Sequence, residues 1–267
     1  MDFLQAVVLG LLQGIFEWLP ISSSGFIALI FSNVFMITDI DFILQNTLML
    51  HLGTFFAALI YFRKDVTKLF LSLFHYQKIK TESPNKKTLN FLIAATIISG
   101  LIGFGILKLI QLYEDKLSIT GKAITLIIAV LLLITGLLQL KPKNKGIKKE
   151  KDLKFKDGIL LGLLQGISVL PGLSRSGMTV SGLLLRKFDD TSSLRLSFLM
   201  SLPIVLAANI FLNINNFIFT PTAIFGLVAS FAFGLATISG LMKLSKKINF
   251  GWFVLIFAVL MGVSILF

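Results

Sequence analysis

The chain reads as a succession of apolar runs separated by short charged stretches, and ten runs can be traced. They are Phe3 to Leu19, Ile21 to Ile37, Phe42 to Phe62, Leu89 to Ile110, Ile119 to Leu140, Phe155 to Leu170, Met178 to Leu185, Leu194 to Leu212, Thr222 to Met242 and Gly251 to Phe267. A membrane-spanning helix needs roughly 20 apolar residues, and six of the runs are read as spans. The first two instead meet at Pro20-Ile21-Ser22-Ser23-Ser24-Gly25, and the sixth and seventh at Pro171-Gly172-Leu173-Ser174-Arg175-Ser176-Gly177. Proline, glycine and hydroxyls there break a helix inside the bilayer, so each pair is expected to dip in and return as a re-entrant hairpin.

The chain also repeats itself. Gly10-Leu11-Leu12-Gln13-Gly14-Ile15 recurs as Gly162-Leu163-Leu164-Gln165-Gly166-Ile167, and Ser22, Ser24 and Gly25 recur at the same offset of 152 as Ser174, Ser176 and Gly177. Nine identities in sixteen gap-free positions, in register across a break, point to duplication. The expected fold is an all-α integral membrane protein of two inverted-topology repeats, each a re-entrant hairpin plus three transmembrane helices. The first repeat is placed at residues 1–140, with hairpin 3–37 and spans 42–62, 89–110 and 119–140. A basic linker covers 141–157. The second repeat is 158–267, with hairpin 155–187 and spans 194–212, 222–242 and 251–267.

Composition closes the alternatives. Of 267 residues 55% are hydrophobic and 14% charged, with mean hydropathy +0.90, too little polar surface for a soluble domain. The absence of cysteine excludes disulfides, thiolate nucleophiles and thiolate-held zinc. No basic segment precedes Phe3, so the first run is expected to persist rather than to act as a signal peptide. The net charge of +12 reads as topology, not nucleic-acid binding. With both termini outside, Arg63 to Thr88, Lys141 to Asp157, Arg186 to Arg195 and Lys243 to Lys247 gather 21 of 25 basic residues on the cytoplasmic side. Inverted repeats would then bring the two polar hairpin tips together near the midplane.

Glu17 and Arg175 stand at those tips, where an isolated charge costs about 2.5–3.5 kcal/mol or more and marks a wet, functional cavity. Around them lie Gln13, Ser22, Ser23, Ser24, Ser174, Ser176 and Thr179, with Gly25, Gly172 and Gly177 exposing backbone N–H groups. An arginine among hydroxyls and free amides suits phosphate. Gln13 and Glu17, four apart on one helical face, suit Mg²⁺ or Ca²⁺ bridging phosphate oxygens, so a diphosphate with a divalent cation is the expected ligand.

The stretches Gln13 to Gly25 and Pro171 to Thr179 resemble the two signatures of the undecaprenyl-diphosphate phosphatases of the bacitracin-resistance type. The resemblance continues through Leu50-His51-Leu52-Gly53-Thr54, Tyr61-Phe62-Arg63-Lys64-Asp65 and Ser197 to Pro203, covering essentially the whole chain. It implies a plasma-membrane hydrolase that converts a polyprenyl diphosphate to the monophosphate, recycling the carrier for cell-wall synthesis and conferring bacitracin resistance. It places base or metal duty on Gln13 and Glu17, and diphosphate binding on Ser174, Arg175, Ser176 and Thr179. The family usually has histidine directly after the first signature's glycine, where this chain has Phe26. Chemistry would then rest on Ser23 as nucleophile with Glu17 or a metal-bound water managing the proton, or on His51 as an accessory group at matching depth. The alternative is a polyprenyl-phosphate transporter or a catalytically impaired carrier-binding relative. Expected partners are the lipid substrate and membrane lipids, with a homodimer left open.

Overall fold

Asp2 opens the first helix by accepting the backbone N–H of Gln5, whose side chain answers to the Asp2 N–H, a reciprocal cap that fixes where helix α1 (Phe3–Phe16) begins. The computed structural model describes residues 1–19, 22–113, 146–170, 173–213 and 220–244, with single positions between 126 and 140 and between 252 and 259. Helices follow as α2 (Ser23–Leu29), continued by a π-helical turn at Ile30–Val34, α3 (Ile40–Tyr61), α4 (Arg63–Phe74), α5 (Pro84–Tyr113), α6 (Phe155–Ile167), α7 (Arg175–Leu185), α8 (Asp190–Ala208) and α9 (Pro221–Leu244). Among the described residues there is no strand, only an isolated bridge between Lys148 and Phe188. The protein is an all-α membrane protein: among the described residues α3, α5, α8 with its π-helical extension Asn209–Asn213, and α9 are the four helices long and apolar enough to cross a bilayer.

The breaks fall where the sequence places them. The 14 residues of α1 and 13 of α6 rise about 20 Å each, short of a roughly 30 Å hydrocarbon core. Ser22 and Ser174 cap α2 and α7 by accepting the N–H groups of Gly25 and Gly177. The cap at Ser174 starts α7 at Arg175, three residues before the expected run at Met178. Pro84 opens α5 five residues ahead of the expected Leu89, and α5 runs three residues past Ile110. The stretch from Arg63 to Thr88, expected only as a basic connection, contains the amphipathic α4. The expected spans 119–140 and 251–267 lie outside the described residues apart from single positions, as do 141–145 of the linker.

Glycine decides which helices meet. A Cβ on Gly10 would lie 2.2 Å from the carbonyl oxygen of Gly226, and one on Gly14 2.6 Å from the nitrogen of Gly234, so α1 sits backbone to backbone on α9. Gly158, Gly162 and Gly166 lay α6 against Phe91, Ala95 and Ile102 of α5 in the same way. The packing is reciprocal: the short helix before each break rests on a long helix from the other half of the chain. Between them α3 faces α8, and Trp18, Ala58, Phe62, Phe198, Leu202 and Ile238 form a core drawn from both halves.

Ion pairs close one end. Arg195 grips Asp65 with two nitrogens, at 2.6 and 3.1 Å, and reaches Glu150 at 2.8 Å, while Arg186 donates to the buried Asp157 at 2.7 Å. The linker is clasped to the turn after α7: the Lys148 N–H donates to the Lys187 carbonyl, and the Asp189 N–H to the Lys148 carbonyl. Lys187 supplies that turn with a left-handed φ of 69°.

Candidate active site

The end of α1 delivers a single carboxylate into the protein. Glu17, only 5% exposed, caps the helix, and Gln13 one turn earlier donates its amide Nε2 to Glu17 Oε2 at 2.9 Å. Ser23, the first residue of α2, donates its hydroxyl to the same Oε2 at 2.8 Å. From α3, His51 commits Nδ1–H to the Thr47 carbonyl at 2.7 Å, which turns Nε2 to within 3.3 Å of Glu17 Oε2. Because Nδ1 must donate to that carbonyl, the Nε2 to carboxylate contact is satisfied by one proton held between His51 and Glu17. Arg175, the first residue of α7, donates Nη2 to Glu17 Oε1.

Ser23 and Arg175 lie 152 positions apart, the offset at which the sequence matches itself, and both donate to the one carboxylate. At that offset Glu17 corresponds to Val169, so the acid comes from the first half of the chain and the guanidinium from the second.

Two further bonds hold the first break against the second half of the chain. Trp18 is 2% exposed, donates its indole N–H to the Gly234 carbonyl at 3.0 Å and packs edge-on against Phe198. Trp18 thereby ties the end of α1 to α8 and α9 from within the core. Ser176 donates to the carbonyl of Leu19 at 2.6 Å.

The expected site residues within the described segments divide between the carboxylate and the helix starts beside it. Glu17, Ser23, Arg175, Gln13 and His51 share the carboxylate. Ser22 and Ser174 cap their helices, with Ser24 and Ser176 hydroxyls 3.5 and 3.2 Å from them. Thr179 donates to the Arg175 carbonyl and lies 2.6 Å from Ser197 Oγ, so it braces the arginine's helix turn against α8. Ser197 was not singled out as a site residue, since a serine in an apolar run carries no signal until its partner is known. Gly25 and Gly177 occupy the capped first turns, whereas Pro20, Pro171 and Gly172 lie outside the described residues. Phe26 packs edge-on against Phe16 at 4.7 Å, giving that position an aromatic contact in place of a titratable group.

Two buried polar atoms of the site have no hydrogen-bond partner: Gln13 Oε1, an acceptor, and Arg175 Nη1, a donor. A buried unsatisfied group costs about 1–3 kcal/mol, so an anion for the guanidinium and a cation or donor for the amide oxygen would both be stabilising. Among the described residues no three His, Asp or Glu side chains converge as a preformed metal cage.

Comparison with known proteins gives the family. The family described as bacitracin resistance protein BacA matches residues 6–264. A protein of Methanococcoides burtonii named undecaprenyl-diphosphatase is 37% identical over 255 residues, covering 93% of each chain. Proteins of the same name from Methanothrix thermoacetophila and Mycolicibacterium smegmatis are 37% and 31% identical, covering 95% and 100% of this chain and 93% and 96% of their own. A match across nearly the whole length, spanning Gln13 to Gly25 and Pro171 to Thr179, leaves one assignment: the chain belongs to the bacitracin resistance protein BacA family.

Proposed function

We propose that this protein is an undecaprenyl-diphosphatase, hydrolysing the terminal phosphoanhydride of a polyprenyl diphosphate to the monophosphate and inorganic phosphate. The observation that carries the reading is the Glu17 carboxylate, which receives Ser23 Oγ–H at 2.8 Å beside an arginine with a free buried nitrogen. Ser23 attacks the terminal phosphorus as its proton passes to Glu17. The anhydride P–O bond breaks, its electron pair leaves on the lipid monophosphate, and Glu17 returns the proton to that departing oxygen. Water then attacks the phosphoserine, giving a proton to Glu17, which restores the serine hydroxyl as phosphate leaves. Arg175 Nη1 binds the transferring phosphoryl oxygens, and His51 holds Glu17 Oε2 toward Ser23.

A divalent cation, Mg²⁺ or Ca²⁺, fits the donor set. Gln13 Oε1 is a buried oxygen without a partner one turn from Glu17; Mg²⁺ takes one or two protein oxygens plus substrate phosphates and waters, and Ca²⁺ takes more oxygens of the same kinds. Gln13 and Glu17 would hold it, and it would neutralise charge on the diphosphate.

The reciprocal packing of α1 on α9 and α6 on α5 supports two inverted repeats, with the basic stretches on the cytoplasmic side of the cell membrane and both termini outside. Purified protein in detergent should release phosphate from a long-chain polyprenyl diphosphate, and chelation should abolish release. Binding of the intact lipid without phosphate release would overturn the hydrolase reading in favour of transport.

A further inference from the structure

We propose that α4 (Arg63–Phe74) is an in-plane interfacial helix that binds an anionic lipid surface, seating Phe70, Leu71, Leu73 and Phe74 among acyl chains with Arg63, Lys64 and Lys68 against acidic headgroups. Its location follows from its neighbour. The spanning helix α3 is 22 residues long, about 33 Å, enough to cross the hydrocarbon core, and the chain leaves helical geometry at Phe62 before α4 begins. The corner at Phe62 therefore lies at the bilayer boundary. α4 cannot continue inward, since Arg63, Lys64 and Lys68 would be carried into hydrocarbon at about 2.5–3.5 kcal/mol each. Nor does it suit open water: Phe70, Leu71, Leu73 and Phe74 are 59, 54, 50 and 69% exposed within five consecutive residues.

The faces of the helix are sorted for an interface. Val66 and Leu69 pack against the core that holds Trp18 and Phe198, and Ser72 is buried. Phe70, Leu73 and Phe74, at i, i+3 and i+4, share a second face, with the Phe70 and Phe74 rings edge to face at 4.9 Å. Lys64 and Lys68, at i and i+4, share a third, from which long side chains reach headgroups while their stems stay over apolar surface. The charge is available for an external anion. The acids of residues 63–88 are Asp65 and Glu82, and they are already paired, Asp65 with Arg195 and Glu82 with Lys87. Lys78 and Lys80, exposed just beyond α4, extend the same basic field. An amphipathic helix with bulky apolar residues on one face and basic residues on another is the pattern of an interfacial binder of anionic lipid.

The cysteine-free sequence makes the test direct. Single nitroxide labels at Phe70→Cys, Phe74→Cys and Lys64→Cys in the full chain, reconstituted in phosphatidylcholine–phosphatidylglycerol vesicles, report depth by collision with oxygen or a water-soluble nickel reagent. Labels at 70 and 74 are expected to be oxygen-accessible at acyl depth, and the label at 64 to sit at the headgroups. Native mass spectrometry of the Lys64→Gln, Lys68→Gln double variant should show retention of phosphatidylglycerol over phosphatidylcholine reduced, by roughly fivefold for each lysine removed. An unchanged melting temperature of the variants establishes that they fold. Water-accessible labels at 70 and 74 would overturn the proposal. So would labels shielded from both reagents, which would mean that protein covers the patch, or unchanged lipid retention in the lysine variant.

Discussion

At the scale of single residues, the site is one carboxylate surrounded by donors. Glu17→Gln keeps the shape but removes the proton acceptor of Ser23 and the counter-charge of Arg175. Phosphate release is expected to fall by about 10²–10⁴, the usual worth of a positioned general base, in initial-rate measurements on a polyprenyl diphosphate. A rate within a few-fold of the native chain would remove Glu17 from the chemistry. Ser23→Ala should abolish turnover and, with it, the phosphoserine detectable by mass spectrometry after acid quench; full activity would pass the attack to water. Trp18→Phe keeps the ring on Phe198 but deletes the bond to the Gly234 carbonyl, leaving a buried acceptor unpaired. It should cost about 1–3 kcal/mol, seen as a lowered melting temperature. Glu17 and Arg175 were legible in the sequence because charge inside an apolar run is costly without a use. The duty of Trp18 was not, since its partner lies 216 residues away.

At the scale of elements, register between helices is set by missing side chains. Gly14→Ala would place a Cβ 2.6 Å from the Gly234 nitrogen and 2.8 Å from the Ser230 carbonyl, forcing α1 off α9 and moving Glu17 with it. Overpacking of this kind costs about 1–3 kcal/mol. Gly105→Ala, on α5 with nothing within 4 Å of the added atom, is the matched control and should raise stability by about 0.5–1 kcal/mol. Thermal denaturation in one detergent checks both, and equal effects would deny that the α1–α9 contact is tight. The break positions were readable from Ser22, Ser174 and the flanking prolines, because capping is local chemistry. The existence of α4 was not, since its basic residues read as a connecting stretch and its apolar ones are too few to form a span.

At the scale of the molecule, the two halves are interlocked. Each short helix lies on a long helix of the other half, and Arg195 ties the start of α8 to Asp65 after α3 and to Glu150 of the linker. If the halves are inverted, single cysteines at Lys145 and Asn215 should react with a membrane-impermeant reagent from opposite sides of oriented vesicles. Labelling from the same side would sink the inverted arrangement.

The sequence by itself determined the membrane class, the helix breaks and the residue types that flank them, because each depends on composition or on neighbours within a few positions. It could not determine who touches whom. Ser23 and Arg175 lie 152 residues apart, and only the packing of α1 on α9 and α6 on α5 brings both onto one carboxylate. Tertiary structure also decided that His51 reaches Glu17, that Thr179 turns to Ser197, and that Gln13 Oε1 and Arg175 Nη1 stay unpaired. Helix-to-helix distances fix these pairings, and those distances depend on contacts between segments far apart in the chain.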